Sequence, residues 1–272
     1  MAELIYDKNG RLLFTKEMKA EYTILFPTML PVHFGLMARI LENEGYKVEM
    51  LTTNHRGIVD EGLKYVHNDT CYPALLVIGQ LIDAVKSGKY DMHKVALLIT
   101  QTGGGCRASN YIHLLRKALE KAGLGYIPVI SVNLSGLEPN PGFQLGLNTL
   151  RKAVFAMMYG DLIVQTSNQV RPYEVNPGQT DETIQSVESH LLEEMNQGRG
   201  LSFKSMVENF DHIAVAFRSI PVEGPPKVRV GVVGEIYIKY SPLGNNNLEQ
   251  FLLSEGAEPV VPGLTDFIIF KI

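Results

Sequence analysis

The feature that most constrains the fold is an alternation of short apolar runs with longer segments of helical apolar spacing. Strand-like runs occupy residues 22–26, 47–52, 95–100 and 127–132. Helical spacing occupies residues 34–44, 72–86 and 111–122, and a glycine follows each of these segments closely. The run at 95–100 is almost continuously apolar, which is typical of a strand buried on both faces. The alternation predicts an α/β fold with a Rossmann-like parallel sheet flanked by helices.

The rest of the chain is predicted to be helical first and then to repeat the opening pattern. Helices are predicted at 143–159, 181–194 and 203–217, and the turn-rich stretch 221–226 is typical of a domain boundary. A strand (228–233), a loop (234–246), a helix (247–254) and a strand (258–261) are then predicted. Glu44-Gly45 and Glu255-Gly256 stand at corresponding places in the two units, which indicates an internal repeat.

Four segments are therefore predicted along the chain. They are an N-terminal extension (1–21), a Rossmann-like domain that carries both cysteines (22–142), a helical connecting segment (143–220) and the start of a second Rossmann-like unit (221–272). Two strands and one helix are too few to bury a core of their own. We therefore expect the second unit to be truncated and the chain to be a piece of a longer protein.

Composition and charge argue against several classes of function. The net charge of -4 gives no electrostatic reason to expect nucleic acid, because phosphate binding requires a clustered basic face. No apolar run approaches the roughly 20 residues that cross a bilayer, and residues 1–21 lack the apolar core of a signal peptide. We expect a cytoplasmic protein without a membrane partner. In a reducing cytosol, its two cysteines are expected to be metal-binding, catalytic or inert core thiols.

Cys71 lies where a predicted loop passes into a helix. Asn68, Asp69 and Thr70 offer capping side chains before it, and Pro73 suits the first helical turn. The thiol is then expected in that first turn, among backbone N–H groups that have no partner within the helix. The positive end of a helix stabilises a thiolate, which is the form of cysteine that binds metal.

Cys106 has a similar place after the buried strand. It follows Gly103, Gly104 and Gly105, and three consecutive glycines indicate a close approach of the backbone to another group. Ligands of an open α/β sheet collect outside the carboxyl ends of the strands, so we expect this loop to line such a crevice. Arg107 could hold an anion or a thioester carbonyl, or it could be an ordinary solvated charge.

Spacing alone leaves the role of the two thiols open. They do not form a CxxC motif, and they do not complete a four-ligand zinc site. A cluster held by cysteines from separate loops fits if further ligands lie outside this chain. Each cysteine could instead be a small buried hydrophobic residue. The triple glycine matches neither the phosphate-loop pattern nor GxGxxG, so nucleotide binding is only weakly indicated.

Other polar residues receive no functional assignment, and no catalytic residue is predicted. His33 and His55 are expected to be solvated loop residues, and His113 a packing or surface residue within a helix. Asn245-Asn246-Asn247 could line the second crevice, but a loop that caps a helix explains them equally well.

Two long stretches carry a specific likeness to a known family. They are His67-Asn-Asp-Thr-Cys-Tyr-Pro-Ala-Leu-Leu-Val-Ile-Gly-Gln80 and Ile99-Thr-Gln-Thr-Gly-Gly-Gly-Cys-Arg-Ala-Ser-Asn-Tyr111, with shorter support at 140–143, 170–174 and 230–235. From about Tyr22 onward the chain resembles the 2-hydroxyacyl-CoA dehydratase family. In particular, it resembles the dehydratase-like C-terminal region of the large CoA-substrate-specific enzyme activases.

The resemblance implies a cofactor and partners. Family dehydratases remove water from (R)-2-hydroxyacyl-CoA through a ketyl radical, after an ATP-hydrolysing activase injects one electron into a [4Fe-4S] cluster. Cysteines in loops of Rossmann-like domains hold these clusters, and Cys71 and Cys106 stand at matching positions. A further cysteine ligand is expected beyond residue 272. Upstream ATPase modules or a separate activase are the expected partners, and an acyl-CoA is a candidate substrate.

Two functions follow as alternatives. The chain is either a fragment of an iron–sulfur component that takes part in ATP-driven, low-potential electron transfer to a CoA thioester, or a non-catalytic domain that docks the activase or an acyl-CoA. In the first case Cys71 and Cys106 bind the cluster and therefore meet at one edge of the sheet; in the second they are structural. The fragment alone is expected neither to hydrolyse ATP nor to turn over substrate.

Overall fold

The computed structural model of the chain describes residues 2–67, 69–101, 110–133 and 138–271. These residues form two compact units, Met1–Thr28 with Glu44–Leu145, and Met29–Asn43 with Gly146–Ile272. The predicted α/β fold with a parallel sheet flanked by helices is confirmed. Within the described part of the chain, no helix is long and apolar enough to cross a membrane.

The first unit contains a parallel sheet of four strands in the order β2-β1-β3-β4. The strands are β1 (Thr23–Pro27), β2 (Lys47–Leu51), β3 (Val95–Gln101) and β4 (Val129–Asn133). The helices are α1 (Lys16–Glu21), α3 (Arg56–Tyr65), α4 (Tyr72–Lys86) and α5 (Tyr111–Lys121). Thr23 in the inner strand β1 pairs with Lys47 on one side and Val95 on the other. All four strands lie close to their predicted positions.

Helices α3 and α4 pack closely because each has a glycine at the contact. A Cβ atom added to Gly79 would lie 2.2 Å from the backbone oxygen of Ile58, and one added to Gly62 would lie 2.5 Å from that of Leu75. This contact leaves α4 buried along most of its length. Helix α3 was not predicted from the sequence, although its buried residues Ile58 and Gly62 are four positions apart, as on one face of a helix.

The N-terminal residues, predicted as an extension, pack within the first unit. Phe14 and Met18 are fully buried, and the Phe14 N–H donates to Asn140 Oδ1 over 3.1 Å. The Gly142 N–H donates to the Phe14 carbonyl, and an added Cβ at Gly142 would lie 1.9 Å from the oxygen of Thr15. The stretch Asn140-Pro-Gly-Phe143 therefore has a local structural role, because it packs against the N-terminal segment and forms hydrogen bonds with it.

The second unit is mainly helical and ends in a small parallel sheet. Its helices are α2 (Pro31–Asn43), α6 (Leu147–Val170), α7 (Gln179–Asn196), α8 (Phe203–Arg218), α9 (Ile236–Tyr240), α10 (Pro242–Asn245), α11 (Leu248–Ser254) and α12 (Leu264–Lys271). Strands β5 (Arg229–Gly231) and β6 (Glu258–Val260) pair in parallel, as β1 and β2 do. Tyr159, Leu191 and Phe217 belong to the core that joins α6, α7 and α8.

Two predicted elements of this unit differ from the structure, one in its bounds and one in its type. The helix predicted at 143–159 is α6, which begins later and runs past Gly160 to Val170. Gly160 does not end the helix; it makes room for the ring of His33, which would lie 2.7 Å from an added Cβ. The loop predicted at 234–246 contains α9 and α10, whose first turns are capped by the side chains of Glu235 and Ser241.

The domain assignments and the compact units divide the chain differently. Helix α2 falls in the predicted domain 22–142 but belongs to the second unit. The first unit nevertheless ends at Leu145 and the second resumes at Gly146, close to the boundary predicted after residue 142. The assignment of independent domains stays a prediction.

Candidate functional site

The candidate site lies at the start of α4, where Cys71 is the N-cap residue. Its backbone is extended, with φ -62° and ψ 149°, and its carbonyl accepts a hydrogen bond from the Leu75 N–H. The expected place in the first helical turn is therefore off by one residue, and the side chain of Cys71 makes no capping hydrogen bond. Thr70 instead donates its N–H to the His67 carbonyl in a turn, and Pro73 lies in the first turn as predicted.

The start of α4 belongs to the carboxyl edge of the sheet. Helix α4 leads into the parallel strand β3, so it runs against the strands and begins beyond their carboxyl ends. Gln80, halfway along α4, donates its side-chain amide to the carbonyls of Leu51 and Thr53, at and just after the end of β2. Cys71 thus lies on the side of the sheet where α/β proteins bind ligands.

The Cys71 thiol is half-buried and contacts the start of a second helix. Its Sγ atom lies 3.1 Å from Oη of Tyr111, which is the first residue of α5. Asn110 is the N-cap residue of α5, and its side chain makes no capping hydrogen bond. The contact brings the N-terminal ends of α4 and α5 together, and it was not predicted from the sequence.

The other predicted site residues fall outside the described residues. Gly103, Gly104, Gly105, Cys106 and Arg107 all lie between the end of β3 and the start of α5, in the undescribed stretch 102–109. Their expected role around a cluster stays a prediction, as does the meeting of the two sulfurs. Among the described residues, which include Cys71 alone of the two cysteines, no group of three or more potential ligands could hold a metal.

The described residues of the site offer one thiol, that of Cys71, of the kind that binds metal. The Cys71 sulfur lies at the N-terminal end of a long helix, which carries partial positive charge. The hydroxyl of Tyr111 can donate a hydrogen bond to this sulfur or accept one from it. Tyr72, beside the cysteine, is 51% exposed. The site is thus open to solvent on one side and supported by α5 on another.

His33 differs most from its prediction. It lies in the first turn of α2 and is only 1% exposed, because this helix begins at Pro31 rather than after the predicted loop. Its Nε2 atom lies 2.8 Å from Oδ1 of Asp161 on α6. Proline at the first helical position is the signal that could have located the start of α2. His55 and His113, by contrast, are both exposed.

Asp161 joins three elements of the second unit. Besides facing His33, its carboxylate accepts hydrogen bonds from the N–H groups of Leu264 and Thr265, at the start of α12. Burial opposes ionisation of Asp161, but the hydrogen bonds from His33, Thr265 and Leu264 outweigh it and lower its pKa. The pair is therefore a structural junction for which the sequence gives no local signal.

A cleft of about 360 Å³ lies beside this junction, between α6 and β6. Apolar side chains of Met158, Leu162 and Phe210 line part of it, together with the amide of Gln165. Arg229 on its rim is bound to Glu258, Nε to Oε1, over 2.9 Å. The volume is in the range of small-molecule sites, and two of the charged groups that line the cleft, Arg229 and Glu258, are paired with each other.

Comparison of the chain with models of protein families, with curated proteins and with solved structures gives no match. The fold and the site themselves define the class: an α/β protein with a parallel sheet and a cysteine at the N-terminal end of a helix, beside the sheet's carboxyl edge.

Proposed function

We propose that the chain is an iron–sulfur component of the 2-hydroxyacyl-CoA dehydratase and activase system. Cys71 and Cys106 are two thiolate ligands of one [4Fe-4S] cluster, and the triple glycine 103–105 and Arg107 lie around it. The bound cluster carries a low-potential electron, received from an ATP-hydrolysing activase, toward the dehydration or reduction of a CoA thioester. The cytoplasm suits this role, because it keeps both cysteines reduced.

The observation that carries the proposal is the contact between Cys71 and Tyr111. Tyr111 follows Cys106 by five residues in the sequence. Five residues of extended chain span at most about 18 Å, so the Cα atom of Cys106 must lie within about 18 Å of that of Tyr111, the residue in contact with the Cys71 sulfur. This reach is compatible with two cysteines that are far apart along the chain sharing one cluster, and it supports the proposal.

Electrostatics support the same assignment. The helices α4 and α5 both point their N-terminal ends, which carry partial positive charge, toward this place. A cluster ligated by thiolates carries negative charge, and such a field stabilises it. The half-burial of Cys71 leaves its sulfur accessible to incoming iron, unlike an inert core thiol.

Anaerobic reconstitution of the chain with ferrous iron, sulfide and a small thiol, which can occupy the cluster positions that the two cysteines leave open, tests this proposal. We expect the unsubstituted chain to bind both, and we expect Cys71→Ala and Cys106→Ala each to lose most of the bound iron, since each substitution removes a ligand. Iron and acid-labile sulfide per chain are the quantities to measure. His113→Ala, an exposed substitution in α5, is the matched control and should retain the iron content.

The alternative function has its own outcome in this experiment. If both cysteine variants fold and keep the iron content of the unsubstituted chain, the cysteines are structural. The chain would then be better described as a non-catalytic domain that docks the activase or an acyl-CoA. Circular dichroism of each variant separates loss of a ligand from loss of the fold.

A further inference from the structure

We propose that the cleft beside the Asp161 junction binds a small organic cation, a primary amine attached to an apolar body. The apolar body packs against α6 and α8, and the ammonium group pairs with the carboxylate of Asp266. The residues that line the cleft all belong to the second unit, and neither cysteine is among them. The inference therefore goes beyond the proposed iron–sulfur function and does not rest on it.

One face of α6 forms part of the cleft wall. The lining residues of this helix recur at intervals of three and four positions, which places them along one side of the helix: Met158, Asp161, Leu162, Gln165, Asn168 and Gln169. Apolar side chains stand at 158 and 162, and amide side chains stand at 165, 168 and 169. The wall is therefore amphipathic, as is the ligand that we propose.

Another part of the lining follows the carboxyl end of a parallel strand. Strand β6 ends at Val260, and Val261, Pro262 and Gly263 continue along the cleft toward the first turn of α12. Segments that follow the strands of parallel sheets are where α/β proteins bind ligands. Phe210 on α8 adds an aromatic ring to the lining. Such a ring suits the apolar body of a ligand and also attracts cations.

The charges that line the cleft favour a cation. They are the carboxylates of Asp161, Glu258 and Asp266 and the guanidinium of Arg229. Arg229 and Glu258 form an ion pair, and Asp161 accepts hydrogen bonds from the start of α12. Asp266 is exposed and makes neither a hydrogen bond nor an ion pair with the part of the chain that the structure describes. Its negative charge is therefore available to a ligand.

An anion is disfavoured beside α12. The N-terminal end of a helix attracts anions through its free N–H groups. Here the N–H groups of Leu264 and Thr265 already donate to Asp161, over 2.6 and 2.7 Å. Asp266 lies in the same first turn. An incoming carboxylate or phosphate would therefore find these N–H groups occupied and two carboxylates beside them.

Lys239 lies near enough to interact with Asp266 but does not form an ion pair with it. Its side chain is buried and does not line the cleft, and its Nζ atom lies 4.2 Å from the ring centroid of Tyr240. Burial lowers the pKa of Lys239, and the charge of Asp266 acts in the opposite direction. The carboxylate of Asp266 thus keeps an open side toward the cleft.

Asn168 adds a hydrogen-bond acceptor to the cleft. It is 6% exposed, and its Nδ2 atom donates to Oε2 of Glu249 over 2.9 Å. Because a carboxylate only accepts, this bond fixes the nitrogen side of the amide and leaves Oδ1 on the other side. No described residue donates to Oδ1. A hydroxyl or a second N–H group on the ligand can therefore donate to Asn168.

Three probes with one apolar body test the inference on the full chain. Phenethylamine, 2-phenylethanol and phenylacetate are respectively positive, neutral and negative near neutral pH. We expect the amine to bind about fivefold more tightly than the alcohol, as one partly exposed ion pair allows, and phenylacetate to bind most weakly. Nuclear magnetic resonance titrations of the protein signals give the dissociation constants.

Asp266→Asn removes the charge and keeps the shape of the side chain. We expect this variant to bind amine and alcohol equally and to keep the affinity of the unsubstituted chain for the alcohol. Asp211→Asn, at an exposed position of α8 outside the cleft lining, is the matched control and should still prefer the amine. A preference for the amine that persists in Asp266→Asn would overturn the assignment of Asp266.

Gln165→Trp tests where the probes bind. This position is exposed, so the larger side chain can extend into the cleft without entering the core. We expect it to abolish binding of the amine, whereas Gln185→Trp, at an exposed position of α7 outside the lining, should leave binding unchanged. Unchanged binding in Gln165→Trp would place the probe elsewhere and overturn the assignment of the cleft. Circular dichroism of each variant excludes unfolding as the cause.

The remaining outcomes also decide the inference. If phenethylamine does not bind, or if the three probes bind equally, the cleft is not a site for organic cations. Tighter binding of phenylacetate than of the amine would likewise overturn the inference and would point to Arg229 as the group that attracts a ligand. None of these measurements requires iron, so a chain that selects the amine but binds no cluster would retain this inference and lose the proposed function.

Discussion

At the scale of single residues, the second unit depends on one carboxylate. Asp161 faces His33 on α2 and caps the start of α12, so a side chain on α6 ties together three segments that are distant in the sequence. Its lowered pKa means that the folded state prefers the ionised form more strongly than the unfolded state does.

The pH dependence of stability follows from this preference. A carboxyl group whose pKa is lowered on folding contributes stability above its unfolded value of 3.8, and this contribution is lost as the pH falls through the lower, folded value. We expect Asp161→Asn to reduce the free energy of unfolding at neutral pH by about 2 kcal/mol. The loss should shrink in acid, and urea denaturation at both pH values measures it.

An exposed carboxyl group in α12, the helix whose start Asp161 caps, serves as the control for Asp161. Asp266 lies in the first turn of α12 and is exposed, so Asp266→Asn should cost less than about 1 kcal/mol. Equal losses from the two substitutions would show that the interaction of a carboxylate with the N-terminal end of α12, rather than the junction with His33, explains the effect.

At the scale of elements, close packing of α3 on α4 depends on the absence of two side chains. The added Cβ at Gly79 would meet a backbone oxygen, which cannot rotate away as a flexible side chain can. The helices must separate to accommodate any larger residue. This contact supports the whole length of α4, including the end where Cys71 lies.

Gly79→Ala should therefore destabilise the chain by about 2 kcal/mol or more, although alanine is the better helix former. Gly35→Ala in α2 is the matched control, because no atom lies within 4 Å of its added Cβ. That substitution should stabilise by about 0.5 kcal/mol through helix propensity. Chemical denaturation of both variants gives the comparison, and the same sign of change in both would contradict the packing argument.

The pair of helices α7 and α8 carries a contact between two imidazole rings. The ring centroids of His190 and His212 lie 4.2 Å apart. Burial and the nearby charge of His190 both lower the pKa of His212. The folded state therefore resists protonation of His212 more than the unfolded state does.

Protonation of His212 in mild acid should weaken this helix pair. As the pH falls below the ordinary histidine value of 6.5, the unfolded state takes up the proton more readily, so the free energy of unfolding decreases. We expect His212→Gln to remove part of this decrease between neutral and mildly acidic pH. Thermal unfolding midpoints across that range measure it, and an unchanged slope in the variant would refute the assignment.

At the scale of the whole molecule, the N-terminal segment is part of the first unit's core. Phe14 is fully buried, and Phe14→Ala should lower the free energy of unfolding by about 3 kcal/mol. Tyr6→Ala, at a half-exposed site, should cost much less. Hydrogen exchange of the β1 and β3 amides reports on the first unit directly. Unchanged protection in Phe14→Ala would show that the segment is dispensable.

The sheet was predictable from the sequence because its strands are short, apolar and separated by helices with clear periodicity. The site was predictable only in part. A cysteine ahead of a helical pattern marks the start of α4, but the contact with Tyr111 depends on how α4 and α5 pack, which periodicity does not encode. Gly160 illustrates the same limit: read locally it ends a helix, whereas in the fold it makes room for His33.

The membership of α2 in the second unit has a consequence for how this molecule could be inherited or engineered. The backbone passes between the units after Thr28, after Asn43 and after Leu145, so neither unit is encoded by one uninterrupted stretch of the gene. A recombination event with a single crossover could not exchange the sheet for that of a relative without replacing α2 as well. The residues that face α2, His33's partner Asp161 among them, would then have to change together with it.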